Sequence, residues 1–177
     1  MEYFVGYLIE NEASEYYKQV TSDIAQRFGI INLSLSIPPH LTLKIPNEIS
    51  DIEDFENYVF EIASKTKTSN LTINGFEKFD GTKNNTIYLS VSTKDGTQNI
   101  ENTIDKLENY IENNKIIERP IKLHSSIARF LNSQQCAEIW NYVQTLPEPN
   151  FTFEFNNLTI FKRIDNIWVV HKTYRFK

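Results

Sequence analysis

The sequence predicts an α+β protein made of two similar lobes, and three observations carry that prediction. Short apolar or alternating runs of strand length interchange with amphipathic runs of helical period. The order strand, helix, strand, helix, strand occurs twice along the 177 residues. Sliding the chain on itself by 84 residues lays one histidine-bearing strand, at His40, on another, at His124. Identity between the halves is slight, so the repeat is one of pattern, and no linker rich in Gly, Ser or Pro divides them. The expectation is one domain over residues 1–177, with lobes pairing the halves at about 1–82 and 83–177 and the histidine strands facing each other across a groove.

The elements follow in order. Tyr3–Ile9 (YFVGYLI) is aromatic and β-branched enough for a buried strand. Ala13–Phe28 repeats Ala13, Tyr17, Val20, Ile24 and Phe28 at helical steps and exits at Gly29. The Pro38-Pro39 pair sets an extended entry to the strand His40–Ile45 (HLTLKI), which Pro46 closes. Asp51–Lys67 is a helix with a stripe of Ile52, Phe55, Val59 and Ile62. The acids at its start suit the positive end of the helix dipole. Leu71–Phe79 alternates as a strand. In the second half Thr86–Ser92 is a strand and Gln98–Asn113 a helix through Ile100, Ile104, Leu107 and Ile111. Ile121–Phe130 is the strand of the second histidine, and Ser133–Leu146 is a helix with Ser133 as N-cap and Cys136 in its apolar stripe. Phe151–Phe161 and Ile167–Phe176 are strands paired across a turn at Asp165-Asn166.

Composition bounds the chemistry. With 23 Asp and Glu against 18 Lys and Arg, the net charge is −5, unsuited to gripping long duplex nucleic acid through its phosphates. One cysteine allows neither a disulfide framework nor a cysteine-built zinc site. The N-terminal apolar run is too short for a signal peptide or a membrane span, so the expectation is a soluble, cytoplasmic protein, a monomer by default. P-loop, dinucleotide-fingerprint and hydrolase-elbow motifs are missing, as is H-E-x-x-H. No metal and no cofactor is expected.

All three histidines are followed two places later by Thr or Ser: His40-Leu41-Thr42, His124-Ser125-Ser126 and His171-Lys172-Thr173. On a strand, residues i and i+2 share a face about 6.5–7 Å apart, so an imidazole and a hydroxyl stand side by side. Such a pair suits a phosphate: the ring moves a proton and the hydroxyl donates to a non-bridging oxygen. Two pairs facing each other supply a base and an acid on opposite sides of phosphorus. His171 has no partner under the 84-residue shift and reads as a structural or rim histidine. By strand parity Lys44 and Lys122 share the groove face with the histidines, whereas Arg129 is off parity unless the strand bulges. Tyr88, Phe79, Phe161, Trp168 and Tyr174 are aromatics able to stack a base or to fill the core.

The segments PPHLTLKIP and KLHSSIAR resemble the paired H-x-T/S motifs of the two-histidine (2H) phosphoesterase superfamily, which includes bacterial 2′-5′ RNA ligase and cyclic phosphodiesterase proteins. The resemblance covers essentially the whole chain. It implies a bilobal fold of two antiparallel sheets with flanking helices about a pseudo-twofold axis. It also implies metal-free action on 2′,3′-cyclic phosphates or 2′-5′ links of a nucleotide or short RNA. By that carry-over His40 and His124 are the acid/base pair, and Thr42 and Ser126 bind phosphate, with Lys44, Lys122 and Arg129 as candidate helpers. Hydrolysis and ligation share such a site and both stay open. Two further readings stand beside it: degradation of cyclic or 2′-5′ oligonucleotide signals, and a nucleotide-binding module without turnover.

Overall fold

The computed structural model describes residues 1–30, 37–81, 84–110 and 120–177. Its elements are β1 (Glu2–Leu8), α1 (Asn11–Phe28), β2 (His40–Glu48), α2 (Ile52–Lys65), β3 (Ser69–Phe79), β4 (Asn85–Thr93) and α3 (Gln98–Glu108). There follow β5 (His124–Leu131), α4 (Ser133–Val143), β6 (Asn150–Phe155), β7 (Asn157–Ile164) and β8 (Ile167–Arg175). They form two antiparallel four-stranded sheets, ordered β2-β1-β7-β8 and β5-β4-β3-β6, with helices packed on one face of each. This is the α+β architecture the sequence predicts.

The sheets do not follow the halves of the chain. Strands cross between the halves: β3 of the first half pairs with β4, and β7 of the second half pairs with β1 and carries β8 with it. The crossing keeps the repeat's register. Phe4 lies opposite Phe161, and Tyr88 lies opposite Glu77, which is the same pair under the 84-residue shift. Each sheet is therefore completed by the other half, and the apolar face of both closes on one core. Tyr3, Val5 and Tyr7 of β1 join Ile87, Leu89 and Val91 of β4 there, with the described residues of the predicted helical stripes. Cys136 is part of that core.

Several boundaries differ from expectation for definable reasons. β2 does not stop at Pro46 but runs to Glu48, pairing Asn47 with Tyr3; it is an edge strand, where a missing N–H leaves no ladder bond unmade. The single strand expected over Phe151–Phe161 is two, broken at Asn156, because the chain changes sheets there. The N-cap of α4 is Asn132 rather than Ser133. Its side chain accepts from the Gln135 N–H at 2.9 Å, and the Gln135 side chain accepts from the Asn132 N–H at 3.1 Å. The expected C-terminal end of the third helix, Ile111 to Asn113, lies outside the described residues. As expected, Gly29 caps α1 in the left-handed conformation and Asp51 caps α2 through the Asp54 N–H. Asp165 and Asn166 form the β7–β8 turn, both at positive φ.

Candidate active site

The faces of the two sheets turned away from the helices meet at a cavity of about 350 Å³. His40 and Thr42 line it from β2, and His124 and Ser126 from β5. The alternation that sends Leu41 and Ser125 into the core sends these four side chains the other way. Each imidazole is anchored alike. The Nδ1 of His40 lies 2.8 Å from the Pro38 carbonyl oxygen, and the Nδ1 of His124 lies 2.7 Å from that of Lys122. A carbonyl only accepts, so Nδ1 carries the proton in both rings and Nε2 is left for the cavity.

Aromatic rings hold the imidazoles from behind. His40 touches Phe4 and Phe161, at 5.0 and 5.3 Å between centroids, and those two phenylalanines stack at 4.4 Å. His124 touches Phe79 and Tyr88, both at 5.1 Å. Phe4 and Tyr88 are equivalent under the 84-residue shift, so the two centres share one design. Burial against these rings disfavours the imidazolium. It pushes His40 down to about 4, with the Arg129 guanidinium and His124 adding to the fall; the bond to Pro38 opposes it. His124 is lowered for the same first reason, burial, and by Arg129 and Lys122. At neutral pH burial favours the uncharged form of both rings.

The bulges decide what else reaches the cavity. Val5 pairs with Lys44 and Gly6 with Thr42, which leaves Leu43 as an extra residue on β2. Ile87 pairs with Ala128 and Tyr88 with Ser126, leaving Ile127 extra on β5, the equivalent position. Each bulge reverses the strand's parity. Lys44, expected on the groove face, is thereby turned to the opposite side; it is 2% exposed, and its ammonium is lowered by burial against the pull of Glu108. Arg129, expected off parity, is brought into the cavity. Its counterpart on β2 is Ile45, so the two-sided site carries its central cation on one side.

Lys122 also stays out of the cavity lining. Its ammonium pairs with Glu77, whose carboxylate also accepts from Ser90 Oγ at 2.6 Å and Tyr88 Oη at 3.2 Å. That pairing pushes Lys122 up to about 12. What it gives the site is its backbone carbonyl, which orients His124. His171 is remote from both centres: its Nε2 meets Glu56 Oε1 at 2.7 Å and its ring packs edge-on to Tyr3.

Sequence reasoning did not single out Phe4, Phe130, Arg163 or Glu2, which also line the cavity. Trp168, named only as a possible stacking ring, stands there edge-on to Phe4 at 4.8 Å. Phe130 is 55% exposed with φ 59, a costly conformation for a bulky side chain, and the Arg129 guanidinium sits 5.1 Å from its ring. Phe4 was detectable from the 84-residue shift, which lays it on Tyr88. From α1, Tyr17 Oη donates to the Ser126 carbonyl at 2.9 Å and fixes the second motif to the core.

A family profile described as the 2′-5′ RNA ligase superfamily matches residues 18–166, most of the chain. The chain belongs to the 2′-5′ RNA ligase superfamily. Several solved structures share the fold across nearly the whole chain at low identity. The Thermus thermophilus protein TT0787 aligns at TM-score 0.67 and 14% identity, covering 99% of this chain and 97% of that one. E. coli LigT complexed with 3′-AMP aligns at TM-score 0.61 and 14% identity, covering 99% and 98%. Kluyveromyces marxianus Usb1 aligns at TM-score 0.54 and 12% identity, covering 96% of each. No curated protein matches the sequence. Among the described residues, no helix of this superfamily member is long and apolar enough to cross a membrane. Nor, among them, do three or more His, Cys, Asp or Glu side chains gather as a metal site would need.

Proposed function

We propose that the chain is a metal-independent phosphodiesterase that opens 2′,3′-cyclic phosphates or cleaves 2′-5′ links in nucleotides or short RNA. The observation that carries this reading is the matched pair of imidazoles lining one cavity, each with Nδ1 tied to a carbonyl two residues back and Nε2 left for proton transfer. Two such groups meet the demand of in-line displacement at phosphorus. One Nε2 takes the proton of the attacking water as its oxygen bonds to phosphorus. The P–O bond to the ribose breaks, and the other imidazole, protonated beforehand, gives its proton to the departing oxygen. Thr42, Ser126 and Arg129 donate to the non-bridging oxygens, where charge gathers. With a ribose hydroxyl in place of water as the nucleophile, the same course opens a 2′,3′-cyclic phosphate: the new P–O bond joins two ends and the ring P–O bond breaks, its oxygen taking the proton.

Burial depresses both imidazoles, so the acid needs the substrate to hold its proton. The phosphate anion between them supplies that charge. Support for a nucleotide ligand comes from relatives of the same fold: LigT has been crystallised with 3′-AMP and with NADP+, and Usb1 with uridine monophosphate.

The test is turnover of nucleoside 2′,3′-cyclic phosphates and 2′-5′-linked dinucleotides in excess EDTA. Cleavage should persist under chelation and fall by about 10²–10⁴ in both His40→Ala and His124→Ala, the usual worth of a general acid or base. Activity that survives either substitution would overturn the assignment. Nucleotide binding by a folded wild type without any turnover would make the chain a binding module.

A further inference from the structure

The cavity contains two guanidinium groups, and the reaction just described uses one of them. The second, Arg163, stands on β7 beyond the aromatic pair that backs His40. Phe4 and Phe161 are cross-strand neighbours, and Glu2 and Arg163 lie two residues farther along the same strands and on the same face. Two residues of strand span about 7 Å. Arg163 is therefore one such step from the rings that touch the imidazole. Its Nη1 donates to Glu2 Oε2 at 2.5 Å and its Nη2 to Asn166 Oδ1 at 3.0 Å; the indole of Trp168 lies 6.0 Å away. In a chain of net charge −5, this lining has two arginines against one carboxylate.

We propose that Arg163 and Asn166 form a second phosphate subsite. The substrate is then a phosphodiester that carries another phosphate one nucleotide unit away, such as an oligonucleotide end or a 5′-phosphorylated nucleotide, rather than a lone nucleoside cyclic phosphate. This rests on the two-histidine reading of the same cavity and narrows its substrate class. A planar guanidinium grips two phosphate oxygens at once, and the Asn166 side chain turns its amide N–H to a third. Glu2 holds Arg163 until the anion arrives. Its side chain is 38% exposed, so the carboxylate returns to water when displaced and the exchanged ion pair is a weak one. Trp168, half-buried in the same lining, offers apolar surface to the sugar or base.

Calorimetric titration with adenosine 3′,5′-bisphosphate and adenosine 3′-monophosphate separates the possibilities without relying on turnover. Wild type should bind the bisphosphate about tenfold more tightly, the scale of one charge-assisted contact. Arg163→Gln should bring that ratio to about 1, and Glu2→Gln should widen it, a gain that damage to the fold cannot imitate. Equal affinity of wild type for the two ligands, no binding of either, or an unchanged ratio in Arg163→Gln would each overturn the subsite. Turnover is scored apart: a preserved bisphosphate preference with no cleavage of any substrate sinks the catalytic reading and leaves the subsite standing.

Discussion

An imidazole packed at a tilt against Phe4 and Phe161, beside a guanidinium, makes acid sensitivity a property of a single side chain. Unfolded, His40 binds its proton near pH 6.5; folded, it binds near 4. As pH falls between those values the unfolded chain takes up the proton first. The stability owed to neutral His40 is therefore complete above 6.5 and lost by the time pH reaches about 4. Thermal melting from pH 7 to 4 should show wild type losing more stability than His40→Gln. Parallel losses would mean that His40 titrates like an exposed ring. At this scale the sequence was legible where spacing alone sets direction: His40 with Thr42 and His124 with Ser126 reach one cavity because i and i+2 share a face. It was not legible for Lys44 and Arg129, whose sides are set by the extra residues Leu43 and Ile127. Nothing in a Leu-Lys or Ile-Ala pair announces a bulge.

Among the elements, the passage from β6 to β7 depends most on one residue. The chain leaves one sheet and enters the other at Asn156, and the fully buried Asn157 side chain bridges the gap. Its Oδ1 accepts from the Leu8 N–H at 3.0 Å and its Nδ2 donates to the Leu8 carbonyl at 3.1 Å, as a paired strand residue would. Thr159 Oγ1 donates to the same Oδ1 at 3.0 Å. Asn157→Ala strands both peptide groups of Leu8 and should cost about 2–4 kcal/mol, since each buried unpartnered polar group costs about 1–3. Urea unfolding measures it, and a loss under about 1 kcal/mol would show that water satisfies Leu8 instead. The sequence presents this region as one long alternating strand because alternation continues through the switch; only pairing partners reveal that the sheet has changed. The helices were clearer, since their apolar stripes at three- and four-residue steps are the ones buried.

For the whole molecule, the governing fact is the exchange of strands between the halves. With β3 completing the second half's sheet and β7 and β8 the first's, neither half contains a full sheet. Fragments cut between β3 and β4 should each be unfolded alone by circular dichroism and should fold when mixed in equal amounts. A cooperative melt from either fragment by itself would refute the interdependence. The pattern repeat at 84 residues is visible in the sequence, and so is the pair of facing histidines it implies. The exchange is hidden, because strands of like pattern fit either sheet by periodicity and only long-range pairing chooses between them.

The same exchange fixes an order of events at the ribosome. β1 is made before all of the elements that separate it from its neighbour β7. Until β7 arrives, β1 has one flank unpaired and His40 lacks the ring of Phe161 behind it. The second histidine's sheet, whose β3, β4 and β5 are consecutive strands in the chain, has three of its four strands before β6 and β7 are translated. A nascent chain therefore acquires the platform of His124 before that of His40. The cavity that holds both imidazoles is complete only once β7 has been made.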